Sequence, residues 1–191
     1  MSGQIIATAR WRALDREGED TCRLSHADHG WLLMGHARFR DAGVIAALNY
    51  VVRCDEAWRT LGADIAGMHG EREVQLRITR DRGHWLLNET AQPDVEDATD
   101  LDLSFTPATN LMPLRRLMVS RNTGLNVTAA WLRYPEVGLT RLDQAYGRTG
   151  LPDVASYSAQ QTEFATQLGF DSSGFVTRYP ELWEGEVQHA A

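Results

Sequence analysis

Two aspartates and two arginines lie close together in the chain, Asp100 and Asp102 in DLDLSF and Arg115 and Arg116 in NLMPLRRL. Residues i and i+2 of a strand share a face, with Cα atoms about 6.5–7 Å apart. That spacing would let the two carboxylates work as an acid/base pair of the glycosidase kind. The arginines are adjacent in a predicted helix, about 100° apart, so they cannot both point the same way. Three readings follow, in descending order. An arginine meets an aspartate in a partly buried ion pair that fixes helix against sheet. Or the guanidinium forks hold a phosphate, sulfate or carboxylate head group. Or the two carboxylates do catalysis.

The elements that must position these residues are mostly strands. In GWLLMGHARFRD, Trp31, Leu33, Gly35, Ala37 and Phe39 oppose His36, Arg38 and Arg40. LNYVVRCD and VQLRIT alternate in the same way, and DRG (Asp81 to Gly83) offers a hairpin turn into HWLLN. NVTAAWLRY, GLTRLDQAY and EFATQLGF repeat the habit, and DSSG (Asp171 to Gly174) turns the chain into FVTRY. Period-two strands with frequent turns predict an antiparallel β protein. The best helix begins near Asn110, with Leu111, Leu114, Leu117 and Met118 on one face. Pro113 then belongs to its first turn. Thr106-Pro107 and Asn110 are candidate caps, and with Thr109 they form a polar junction that could cap N–H groups or hold an anion. A weak echo on either side of the helix, RCDEAWRT against RYPEVGLT, admits two similar halves. No low-complexity linker divides residues 1–191, so one domain is expected.

Composition narrows the function. The chain has 191 residues, 43% of them hydrophobic and 24% charged, with a net charge of −7. All 19 basic residues are arginine, so no lysine can form a Schiff base and no Walker-type GK[ST] loop exists. An acidic chain without a basic run argues against nucleic acid. No window reaches the ~18–20 apolar residues of a membrane helix, and the N-terminus lacks the pattern of a secretory signal. A cytoplasmic location is expected, with Cys22 and Cys54 as free thiols. His26 and His29 are spaced as in H-x-x-H but lack a third ligand of the usual pattern, so no metal or cofactor is expected. Six tryptophans, with Tyr50, Tyr134, Tyr146, Tyr157 and Tyr179, are core candidates first, and a subset could line a groove.

Several phrases together resemble the bacterial family described as putative glycolipid-binding. They are CDEAWRT (54–60), DLDLSFTPATNLMPLRRL (100–117), DQAYG (143–147), SYSA (156–159) and FDSSGFVTRYPELWE (170–184). The central signature is matched at Asp100, Asp102, Leu103, Thr106, Pro107, Thr109, Asn110, Pro113, Leu114, Arg115, Arg116 and Leu117. Ala98-Thr99 stands where members commonly have Gly-Cys, and Leu61 where another arginine is expected. The resemblance implies a spiral β-roll, a many-stranded antiparallel sheet wrapped around one core helix.

It also implies a ligand class, an amphiphilic small molecule such as a lipid or glycolipid. We expect a non-enzymatic binder with its groove between sheet and core helix. The candidate binding residues are Trp58, Arg59, Asp100, Asp102, Thr109, Asn110, Arg115, Arg116 and Tyr146. Arg59, Arg115, Arg116 or Tyr146 could hold the head group, and Trp58-Arg59 pairs an aromatic ring with a fork donor. The alternatives are a glycoconjugate hydrolase working through Asp100 and Asp102, and a scaffold that presents an edge strand to a partner.

Overall fold

The computed structural model describes residues 4–190. Its first eight strands are β1 (Gln4–Ala13), β2 (Gly18–Ala27), β3 (Gly30–Asp41), β4 (Val44–Cys54), β5 (Thr60–His69), β6 (Arg72–Asp81), β7 (His84–Leu87) and β8 (Thr90–Ala91). After β9 (Asp100–Leu103) comes the helix α1 (Leu111–Val119). The rest is β10 (Gly124–Leu132), β11 (Leu139–Arg148), β12 (Val154–Ala159), β13 (Phe164–Phe170), β14 (Val176–Tyr179) and β15 (Trp183–His189). All fifteen strands form one sheet, which runs from β8 down to β1 and then from β15 down to β9. Every neighbouring pair is antiparallel except β9 with β10. Two meanders therefore meet where β1 pairs with β15. The expected mainly-β roll around a single core helix is what the chain forms.

The alternation read from the sequence becomes an inner apolar face. On β4, Ala46, Leu48, Tyr50, Val52 and Cys54 are buried, and on β6 Val74, Leu76 and Ile78 are. Arg82 and Gly83 take positive φ of 48° and 91° between β6 and β7, the two-residue hairpin that suits twisted strands. At the DSSG turn, Asp171 Oδ1 accepts from Ser173 Oγ and from the Phe175 N–H, at 2.6 and 3.1 Å.

The sheet curls without closing. The Thr60 N–H at the start of β5 donates to Thr99 O (3.1 Å), and Thr60 Oγ1 accepts from the Leu101 N–H (3.0 Å). Edge strand β9 thus lies against β5, while β6 to β8 continue past it. Beyond them, Gln92 Oε1 accepts from the Leu139 N–H of β11 at 3.0 Å. One edge overlapping the other makes the roll a spiral.

Inside it lies the connection from β9 to α1, buried continuously from Phe105 to Leu114. A 3-10 turn at Ala108–Asn110 precedes the helix, and Thr106 Oγ1 accepts from the Ala108 N–H at 3.0 Å. Pro113 falls in the first helical turn, where the missing N–H would lack a helical partner anyway. Asn110 does not cap the helix, contrary to expectation. It has helical backbone angles, and its side chain is held by Pro107 O and the Tyr146 hydroxyl instead. At the other end, Arg148 Nη2 donates to the carbonyls of Leu117, Met118 and Ser120 at 2.7, 3.0 and 2.8 Å. This satisfies carbonyls that a helix end leaves open.

A buried polar knot ties the first meander to this connection. Tyr50 donates its hydroxyl to Asp20 at 2.8 Å, and Thr106 donates to the same carboxylate. Gly35 makes room for the Tyr50 ring, since a Cβ there would fall 2.1 Å from Tyr50 Cζ. Burial holds the Asp20 carboxyl up at about 6, against the hydrogen bonds from Thr106 and Tyr50. Cys22 and Cys54 are buried free thiols.

Candidate functional site

Asp100 and Asp102 leave β9 on the same face and meet different surroundings. Asp100 is 2% exposed. Arg116, from the last turns of α1, grips it with both arms of its fork: Nη1 donates to Oδ1 at 2.8 Å and Nη2 donates to Oδ2. The same Nη1 donates to Trp58 O at 2.6 Å. One guanidinium therefore joins the core helix, the edge strand and the β4–β5 loop. Burial pushes the Asp100 carboxyl upward, and the Arg116 fork, with Arg80 and Arg59 nearby, works against that push.

Trp58 has a backbone φ of 63°, rare for a bulky residue. Asp55 holds the loop, its Oδ1 accepting from the N–H groups of Ala57 and Arg59 at 2.9 and 2.8 Å. The Trp58 ring stacks on Trp31 at 4.1 Å between centroids, and the Arg115 guanidinium lies over it at 5.0 Å. Arg115 also donates to Ser172 O at 3.2 Å. As the helical spacing requires, the two arginines diverge, Arg116 to the carboxylate and Arg115 to the aromatic stack. Arg59 is exposed beside them.

Asp102 is different. Gln144 Nε2 of β11 donates to its Oδ2 at 2.8 Å and also to the Tyr157 hydroxyl of β12 at 3.0 Å. No arginine reaches it among the described residues. Burial raises its carboxyl to about 6; the Gln144 hydrogen bond opposes this and the charge of Asp100 adds to it. The side chain opens onto a groove of about 260 Å³ between the β9–α1 connection and the inner face of β10–β15. Trp131, Tyr157, Phe164, Tyr179 and Trp183 supply aromatic surface there, and Thr106 and Asn110 contribute from the connection.

Of the expected residues, Asp102 and Asn110 line this groove, whereas Trp58, Arg115, Arg116 and Asp100 form the second cluster. Tyr146 is buried with its hydroxyl donated to Asn110 Oδ1 at 2.8 Å, and Thr109 Oγ1 accepts from the Leu103 N–H at 3.4 Å. Trp131, Tyr157, Tyr179 and Trp183 belong to the aromatic set from which a groove-lining subset was expected, whereas sequence reasoning did not single out Gln144 or Phe164. Gln144 and Tyr157 do lie in the quoted phrases DQAYG and SYSA.

The geometry corrects the reading of Asp100 and Asp102 as a hydrolytic pair. Two carboxylates must both face the scissile bond, and Asp100 is sealed by Arg116. Nor does the grouping of Ser172, His189 and Asp171 supply a relay. Both neighbours approach the same ring nitrogen, Nε2, at 3.5 and 2.8 Å, whereas a relay needs one on each nitrogen. Among the described residues, no group of three or more His, Cys, Asp or Glu side chains could hold a metal ion. None of their helices is long and apolar enough to cross a membrane.

Two solved structures resemble the chain. One is the crystal structure of a DUF1089 family protein from Pseudomonas aeruginosa, with 25% identity and a TM-score of 0.74 over 86% of this chain and 91% of that one. The other is a beta-barrel-like protein of DUF1849 from Brucella abortus, with 9% identity and a TM-score of 0.56 over the whole of both chains. The second likeness is one of fold alone. No curated protein sequence matches. A family model matches residues 8–185, and the chain thereby belongs to the family described as "Putative glycolipid-binding".

Proposed function

We propose that the protein is a non-enzymatic binder of an amphiphilic small molecule, a glycolipid or other lipid, whose polar head enters the groove at Asp102. The carrying observation is the contrast within β9. One carboxylate is closed off by an arginine, and its neighbour opens into an aromatic-lined groove. A groove of about 260 Å³ is smaller than the ~300–1,000 Å³ typical of ligand pockets. It suits a head group and the first few methylenes, at about 0.8 kcal/mol for each one buried, with the rest of the tail outside. The scaffold alternative fits less well, because the free edges are the two-residue β8 and β9, which lies against β5. The buried free thiols are in keeping with the cytoplasmic location we propose.

Native mass spectrometry and calorimetry with n-octyl amphiphiles, kept below their critical micelle concentrations, test this reading. We expect one amphiphile per chain, and about three- to tenfold weaker binding in Phe164→Ala, which removes an aromatic wall. Absence of both mass adduct and heat for anionic, neutral and cationic heads alike would refute it.

A further inference from the structure

The charge of the groove specifies the head more closely than the family does. Resting on the reading above, we propose that the group it recognises is an alkylammonium, held between the Asp102 carboxylate and the aromatic rings beside it.

Three observations support this. First, among the described residues no arginine or histidine lines the groove, and its one charged lining side chain is Asp102. The Arg133 guanidinium lies over the ring of Trp131, a groove wall, at 5.0 Å. Arg116 is committed to Asp100, and Arg115 to Trp58 and Ser172. A phosphate, sulfate or carboxylate head would therefore meet a like charge and no counter-charge among the lining side chains. Second, the one hydrogen bond that the Asp102 side chain receives among the described residues is from Gln144 to Oδ2, and that side chain is part-exposed towards the groove. A partly buried carboxylate without a counter-ion is costly. A cation relieves that cost, whereas a neutral hydroxyl relieves only part of it. Third, the rings of Tyr157, Phe164 and Tyr179 form a corner, with centroids 5.8–6.4 Å apart and planes inclined by 50–75°. Aromatic faces beside a carboxylate attract ammonium groups.

The titratable groups facing Asp102 are Asp100, Tyr146, Tyr157 and Tyr179. Burial drives all three phenols up, so they remain neutral. Asp100 is also raised but stays paired with Arg116, and Asp20, raised to about 6, is sealed behind Thr106. The glucoside therefore serves as the control for any pH effect that does not act through Asp102.

The experiment compares n-octylammonium, n-octyl β-D-glucoside and n-octyl sulfate on the full chain by calorimetry, since these share a tail and differ in head charge. At pH 7.5 we expect the ammonium to bind about tenfold or more tightly than the glucoside, as a charge-assisted contact warrants, and the sulfate not to bind. Lowering the pH to 5 protonates Asp102, which titrates near 6, and should weaken the ammonium about tenfold while leaving the glucoside unchanged. Asp102→Asn, checked for folding by circular dichroism, should bring the ammonium down to the level of the glucoside. If that variant fails to fold, the pH arm on the natural chain decides.

Binding of the glucoside or sulfate as tightly as the ammonium, or an ammonium affinity indifferent to pH, would overturn the inference and leave the amphiphile reading standing. Binding of none of the three would remove both. Where the ammonium result holds, n-octyl β-D-glucosaminide separates the sources. Tighter binding than octylammonium assigns an amino sugar, and weaker binding assigns a lipid amine.

Discussion

Asp100 and Asp102 are the same residue type, two positions apart on one strand face, yet their surroundings assign them to different tasks. Around Asp100 the helix supplies a fork, the β4–β5 loop supplies the Trp58 carbonyl, and the charge is locked into the fold. Around Asp102 the sheet supplies the Gln144 amide, itself tied to the Tyr157 hydroxyl, and no cation. The difference comes from where α1 ends. Its last turns carry Arg116 over the start of β9, whereas its first turn and the connection before it stand beside the end of β9 and bring no cation. A buried ion pair fixes geometry and need add no net stability. A partly buried carboxylate without a counter-ion reduces stability, and binding function is a reason for a chain to retain one.

Substitutions at the two positions should therefore act in opposite directions. The larger effect belongs to Asp100→Asn, which strands the Arg116 charge against the core and should cost about 3–5 kcal/mol in denaturant unfolding. A loss below about 1 kcal/mol would mean that Arg116 finds water or another partner, and would break the contrast. Asp102→Asn should do the reverse. Its carboxyl is raised to about 6 in the folded chain, above about 3.9 when unfolded. Ionisation thus penalises the folded state, and the penalty grows as pH rises from about 4 to 6 and is complete above that. The variant should gain about 1–3 kcal/mol at pH 8, and that gain should vanish below pH 4. Destabilisation at pH 8 would show that Asp102 serves the fold as Asp100 does.

Much of the fold was legible in the sequence because inner and outer faces alternate along most of the long strands. Leu48, Tyr50 and Val52 face inward on β4, and Arg82-Gly83 makes the hairpin that DRG announced. The helix was legible from Leu111, Leu114 and Leu117, all buried. Asn110 was misjudged as a cap because propensity identifies an amide near a helix start, while a partner far away in sequence, Tyr146, decides where that amide points. The site was legible in its charges but not in their allocation. Spacing said that Arg115 and Arg116 diverge, and only the sheet could say which one meets Asp100. Gln144 carries no local signal of its role, because its contact with Asp102 spans 42 positions. The aromatic residues that wall the groove have the same inward alternation as those that fill the core, so period two cannot separate the two uses.

The most direct test of the central claim is a carbon-13 NMR titration of both aspartate carboxyl groups, with and without n-octyl β-D-glucosaminide. The account predicts that Asp102 titrates near pH 6 in the free protein and shifts to lower pH when the amphiphile binds, while the Asp100 signal stays where it was. An unmoved Asp102, or an Asp100 that follows the ligand, would contradict the division between a locked carboxylate and an open one.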